Sequence, residues 1–334
     1  MPVLFVLMIL FFATYPSSQR AFTSSENINN ILAGQSVTGI IALGMVIPLA
    51  GGYFDVSIAA IAGVTNVAAA SIIAEHGQPI WVGMLAALVL GGLIGAVNGV
   101  FVAYFKLNGL IVTLGVYTVL GGLLTWYTKG ASSSGVPDSL GNWGSLEWLG
   151  IPRPFWLLIV VGLIIWYGLM HTPSGRQFEA VASNEAAARL VGIRVERLVF
   201  GSFVVAGLIA GIAGILLTSR TGGADPTAGP SYLFPAFAAV FLGATTIRPG
   251  KYNVWGTIVG IFFVAVGVTG FTLIGADVWV TPVFDGAVLI AAVLISTVVG
   301  RRRAGAAFAV VSQPDESVPI SSEADTRESA GSQS

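Results

Sequence analysis

Residues 80–104 read IWVGMLAALVLGGLIGAVNGVFVAY, an unbroken apolar run without a single Asp, Glu, Lys or Arg. A straight helix needs about 20 such residues to cross the hydrocarbon of a bilayer, and this run exceeds that length. Working outward in both directions, runs of the same kind recur between polar or Pro/Gly breaks. They fall at 2–15, 34–50, 56–74, 109–127, 154–170, 198–218, 232–247, 253–274 and 279–299, making ten candidate spans in all. Several are shorter than a full crossing, and short or broken helices are tolerated only where protein or a water-filled cavity covers the freed backbone groups. Composition agrees. Hydrophobic residues form 55% of the 334 positions and charged residues 9%, where a soluble domain carries about 25% charge.

The expected fold is therefore an all-α membrane protein of about ten transmembrane helices, some of them broken. Spans two to five and seven to ten are read as inverted repeats, because the odd span between them reverses the second set. Met1–Tyr15 is apolar without a basic start and is closed by Pro16, so it reads as a genuine span rather than a signal peptide. With both termini inside, ten Lys or Arg lie in cytoplasmic connections (Lys106, Arg176, Arg189, Arg194, Arg197, Arg248, Lys251 and Arg301 to Arg303). Four lie outside: Arg20, Lys129, Arg153 and Arg220. The positive-inside rule selects that orientation. The transmembrane domain is taken as 1–300, with a charged cytoplasmic loop at 171–197. A polar tail at 301–334, carrying Asp315, Glu316, Glu323, Asp325 and Glu328, is expected to be disordered.

The chemistry that is missing narrows the function. Cys is absent, which removes disulfides, thiolate metal sites and Cys nucleophiles together. His76 and His171 stand at span ends with no partners for catalysis or metal binding, and no Gly-rich phosphate loop ends in Gly-Lys-Ser/Thr. No enzymatic role, metal or cofactor is expected, and a net charge of −1 offers no field for nucleic acid. An ion-coupled carrier would bury ionisable groups, yet only Asp55 and Asp285 lie in or beside apolar segments. Both are placed where they can cap a helix start, after Gly51–Gly52 and Pro282 respectively.

Polar groups at membrane depth are the candidates for a solute path: Asp55, Asn66, Asn98, Asn108, Thr113 and Thr245. Amides and hydroxyls both donate and accept, which suits a polyhydroxylated solute; each can equally bond a neighbouring helix. Asp225, Pro226, Thr227 and Gly229 are read as an external turn, facing a partner or serving as a plain loop. Gly91, Gly92, Gly95, Gly99, Gly207, Gly211 and Gly214 present small faces, where the closest helix contacts are expected. In the cytoplasmic loop, Glu185 to Val191 is Ala-rich and strongly helix-forming; Ser183 or Asn184 can cap its start and Gly192 its end.

Several of these segments carry a resemblance. GGYFDVSIAAIAGV (51–64), GLIGAVNGVFVAY (92–104), LIVTLGVYTVLGGL (110–123), TPSGRQFEAVASNEAAARLVGIRV (172–195), AGLIAGIAGILLTSRTGGADPTAGPSYLFPAFAAVFLGAT (206–245) and NVWGTIVGIF (253–262) occur in order. The set resembles the membrane subunits of bacterial ATP-driven sugar importers of the ribose type. The resemblance implies two permease subunits, as a homodimer or a related pair, each docking a cytoplasmic ATPase through a short coupling helix, with an external binding protein delivering the solute. That helix maps onto Asn184, Glu185, Ala186, Ala187, Ala188, Arg189, Leu190 and Gly192. The usual Glu six residues before the Gly is here Ala186, with Glu185 one position earlier. Arg189, Arg194 and Arg197 are then expected to meet acidic groups of the ATPase. A permease for branched-chain amino acids or nucleosides remains open, as do an ion-coupled secondary carrier and a membrane scaffold.

Overall fold

A computed structural model describes residues 1–311. The chain opens with α1 (Pro2–Thr14) and the single turn α2 (Gln19–Phe22), followed by α3 (Ser25–Ala50) and α4 (Ile58–Ala70), which widens into a π turn at Ser71–Glu75. Next come α5 (Ile80–Gly99), ending in a second π turn at Val100–Tyr104, and α6 (Gly109–Thr128). A connecting region holds β1 (Ser133–Ser134), α7 (Asp138–Ser145), β2 (Glu147–Trp148) and β3 (Ile151–Pro152). The remainder is α8 (Arg153–His171), α9 (Pro173–Ser183), α10 (Glu185–Leu190), α11 (Val195–Thr221), β4 (Gly223–Ala224), α12 (Ala228–Ser231), α13 (Leu233–Gly243), α14 (Val254–Leu273) and α15 (Val280–Val311).

Among the described residues, eight helices are long and apolar enough to cross a bilayer, and the shorter apolar segments Pro2–Thr14 and Ala228–Gly243 fill the first and eighth places. The chain is an all-α, multi-pass membrane protein. Boundaries moved most where polar residues sit in a helix. The second span begins at Ser25 rather than 34, because Ser24 caps Asn27 N at 3.2 Å and the polar first turns face outward. The charged connection 171–197 holds, besides the expected helix at α10, a second helix, α9. α15 continues through Arg301–Arg303 to Val311, so the boundary expected at 300 falls inside it; the rest of the expected tail lies outside the described residues.

α3 and α4 form the buried centre with α11, while α5, α6, α8 and α15 turn apolar faces such as Leu93, Ile111, Ile164 and Ile290 outward from the bundle. Glycine sets the closest approach. A Cβ on Gly207 of α11 would collide with the Gly91 carbonyl of α5, and one on Gly91 with the Gly207 carbonyl. One on Gly211 would lie 2.9 Å from the Ala87 carbonyl, so the two backbones touch along a shared face.

α3 ends near α9 and α10, whereas α11 starts there and ends beside α7 and β1, so these two long helices run in opposite directions. Each leads into a non-helical break (51–57 and 222–227) and then into a shorter helix, α4 or α12–α13. α3 packs on α13 and α14 of the other half, and α11 packs on α4 and α5. This exchanged, opposite-running order is the arrangement expected of inverted repeats.

Candidate functional site

The basic end of the bundle carries a small helical platform. Thr172 and Pro173 start α9, and Asn184 ends it and caps α10, its Oδ1 accepting from Ala187 N at 3.0 Å. Gly192 closes the platform at φ +86°, letting its own N–H reach Arg189 O at 3.0 Å and the Ile193 N–H reach Ala188 O at 3.1 Å. A left-handed residue at that point is what terminates the helix. Only Ala188 of α10 is buried; Ala186 and Ala187 are exposed, and Leu190 and Val191 stand 89% and 78% exposed at the tip, beside Arg194 and Arg197.

Within the chain, Arg189 has two acidic partners. Its guanidinium lies 2.7 Å from Glu185 Oε1, one helical turn back, and also pairs with Glu196 at the start of α11. The turn at Gly192 folds Glu196 back within reach, which spacing alone does not reveal. Hydrogen bonding from Arg189 holds both carboxyls below their ordinary range. Glu185 also accepts from the Tyr53 hydroxyl at 3.0 Å, and burial, reinforced by that bond, pushes the phenol up to about 12. Lys251 ties the 244–253 connection to Glu179 of α9 at 2.9 Å.

Deeper in, three of the path candidates converge. The break before α4 brings Asp55 to 1% exposure, and its Oδ1 accepts from Ser57 N (2.9 Å) and Ser57 Oγ (2.6 Å). Asn98 of α5 donates to Ser57 Oγ at 2.7 Å, and Thr113 of α6 accepts from Val56 N at 3.1 Å. Asp55 Oδ2 and Asn98 Oδ1 are buried without a partner. Asp55 acts through a turn onto Ser57, close to the capping role expected of it. Ser57 is the member sequence reasoning missed, since a serine before a helix reads simply as a cap.

The other candidates lie apart. Asn66 is buried in α4 and locks the far end of α11, donating to Thr218 Oγ1 (2.9 Å) and Gly223 O (3.0 Å) and accepting from Asp225 N (3.0 Å). Asn108 is an exposed cap of α6, accepting from Leu110 N at 3.0 Å. Thr245 returns its hydroxyl to Leu242 O at 2.7 Å just past α13. Asp285 sits within α15 and caps nothing, because that helix starts at Val280. The Asp225–Gly229 turn leaves Thr227 exposed and packs Gly229 against α4. A Cβ on Gly63, inside α4, would lie 3.2 Å from Gly229 Cα, so two glycines allow the break to enter between helices. At the end opposite the platform, Glu26, Asn29, Asn30, Glu147 and Arg220 line a polar basin of about 730 Å³.

Residues 27–293 match the family model described as the permease component of branched-chain amino acid transport systems. The chain belongs to this permease family. It is 35% identical to the ribose import permease protein of Haemophilus influenzae, over 90% of this chain and 94% of that one. The ribose import permease protein of Escherichia coli K12 is 36% identical, over 87% of this chain and 91% of its own. The L-arabinose transport system permease protein of the same strain is 31% identical, over 82% and 83%. No solved structure matches. As a permease, the chain has translocation as its task, and its described residues hold no group of His, Cys, Asp and Glu able to bind a metal.

Proposed function

We propose that this permease is the membrane subunit of an ATP-binding-cassette importer for a ribose-like monosaccharide or related polyol. The observation that carries the reading is the near full-length similarity to permeases named for ribose and arabinose. A separate ATPase subunit docks on α10, with Leu190 and Val191 seated in its groove and Arg194 and Arg197 meeting its acidic rim. This chain does no ATP chemistry of its own. A second permease copy completes the pathway, and an extracytoplasmic binding protein delivers the solute to the end bearing the polar basin. The ten-to-four distribution of Lys and Arg supports a bacterial inner-membrane protein with both termini cytoplasmic.

Transport then follows from geometry. Sugar hydroxyls need groups that donate and accept, and the Ser57–Asn98–Thr113 cluster offers such groups beside a break in the helical backbone. Breaks at 51–57 and 222–227 let helix halves move as units, as alternating access requires. ATPase closure displaces α10, and the displacement reaches the 51–57 break through the packed basic end.

Gentle detergent purification of tagged protein, with mass spectrometry of what co-elutes, tests the proposal. A co-eluting ATPase with a Gly-rich phosphate loop, and a binding protein holding a monosaccharide, are the expected results. A branched-chain amino acid or nucleoside on that binding protein would move the chain to another solute class. Elution alone, with ATP-independent transport after reconstitution, would sink the importer reading in favour of a secondary carrier.

A further inference from the structure

The break at 51–57 contacts elements from both halves of the molecule. Tyr53 donates to Glu185 of α10, Phe54 stacks on Phe241 of α13 (ring centroids 6.4 Å apart, planes 28° apart), Val56 donates to Thr113 of α6, and Ser57 accepts from Asn98 of α5. Residues 53 to 57 thus join the platform to three membrane helices. Two of those helices, α5 and α6, follow α4 in the chain, and the third belongs to the opposite half.

The connection to the platform has two parts of different mechanical character. Phe178 of α9 is buried against the start of the break, with its Cδ1 3.1 Å from where a Cβ on Gly51 would lie. Such van der Waals contact resists approach and offers little against separation. The Tyr53 hydroxyl, in contrast, is a charge-assisted hydrogen bond to an acceptor held in place by Arg189. It can transmit a pull. The half-buried Tyr53 ring also packs against the buried cluster of Val102, Val181, Ala188 and Val195.

We propose that Tyr53 is the positioning residue that draws the 51–57 break, and with it α5 and α6, after the docking helix when the ATPase moves. The proposal rests on the reading of α10 as the ATPase-docking helix. Tyr53 acts through its bond to Glu185. Phe178 drives the break when the platform advances; Tyr53 retrieves it when the platform withdraws.

Hydrogen exchange on the full complex in nanodiscs separates the two readings, comparing the wild type with Tyr53→Phe, which keeps the ring and removes the hydroxyl. Protection of 184–194 when the ATPase is present tests docking. The difference at 51–57 and 98–113 between MgATP–vanadate-trapped and nucleotide-free complexes tests transmission. The wild type should show a change of about fivefold or more at 51–57, and Y53F less than about twofold, with protection of 184–194 unaltered. Adding Glu185→Ala to Y53F should cost no more transmission than Glu185→Ala alone, because both substitutions remove the same hydrogen bond. Equal transmission in Y53F and wild type, or none in the wild type, overturns the role of Tyr53 while leaving docking intact. Absence of protection at 184–194 in the wild type overturns the docking reading itself.

Discussion

Gly192→Val tests the platform with little collateral damage. Gly192 holds φ +86°, and a Cβ added there meets nothing within 4 Å, so the substitution costs backbone strain and no collision. A left-handed conformation costs an L-residue about 1–2 kcal/mol, with β-branched side chains at or above the upper end. Two hydrogen bonds depend on that conformation: Gly192 N to Arg189 O and Ile193 N to Ala188 O, at 3.0 and 3.1 Å. Relaxing φ would release both and swing Leu190 and Val191 away from their present position. At ~1.4 kcal/mol per factor of ten, a cost of about 2 kcal/mol biases the platform out of its native shape by roughly 30-fold. The buried centre of α3, α4 and α11 is untouched, so membrane abundance should hold. Solute uptake and co-purified ATPase, both normalised to chain abundance, should fall about tenfold or more for Val. Gly192→Ala should fall less, and Gly192→Asn least, because Asn tolerates the left-handed region. Full uptake and full ATPase recovery with Val would refute the reasoning. So would loss of the chain from the membrane, since the strain would then not be local.

Other expectations follow from the same contacts. Gly207→Leu drives a Cβ onto the Gly91 carbonyl and must part α5 from α11, which at an overpacking cost of ~1–3 kcal/mol should lower the melting temperature in detergent by at least about 3 °C. An unchanged melting curve would mean the two helices are not held by this approach. Asn66→Ala removes three side-chain hydrogen bonds at typically ~0.6 kcal/mol each, a loss of about 2 kcal/mol, and Thr218→Val should be strongly non-additive with it in unfolding measurements. Glu185 and Glu196 are held below their ordinary values in the folded chain, so the Arg189 clamp contributes fully above the unfolded value of about 4.3 and is lost as pH falls through the lowered folded values. Protection of the 184–194 amides in exchange measurements, corrected for intrinsic rate, should therefore stay level from about pH 8 to pH 5. A decline near neutrality would assign control to another group.

Much of the architecture was legible because its causes are local. A helix in lipid must be apolar over its length, so ten segments could be counted from the chain and found in order, two of them too short to cross by themselves. The cap at Asn184 and the stop at Gly192 depend on neighbours three or four positions away, and both were visible in NEAAARLVG. What misled were residues whose neighbours are far off in sequence. Arg189 looked free because Glu196 approaches only through the turn between them. The approach of Gly229 to Gly63 was hidden for the same reason, since nothing in the turn's composition tells which helix it meets.

The apolar spans, their order and the capped form of α10 were thus determined by the sequence by itself, since hydropathy and capping act along one dimension. The assembly of Asp55, Ser57, Asn98 and Thr113, and the bond from Tyr53 to a carboxylate 132 positions away, were decided only by the tertiary structure. A buried hydroxyl or amide must satisfy itself with whatever polar group packing brings within 3 Å or so, and that neighbour is set by how helices cross, not by spacing along the chain.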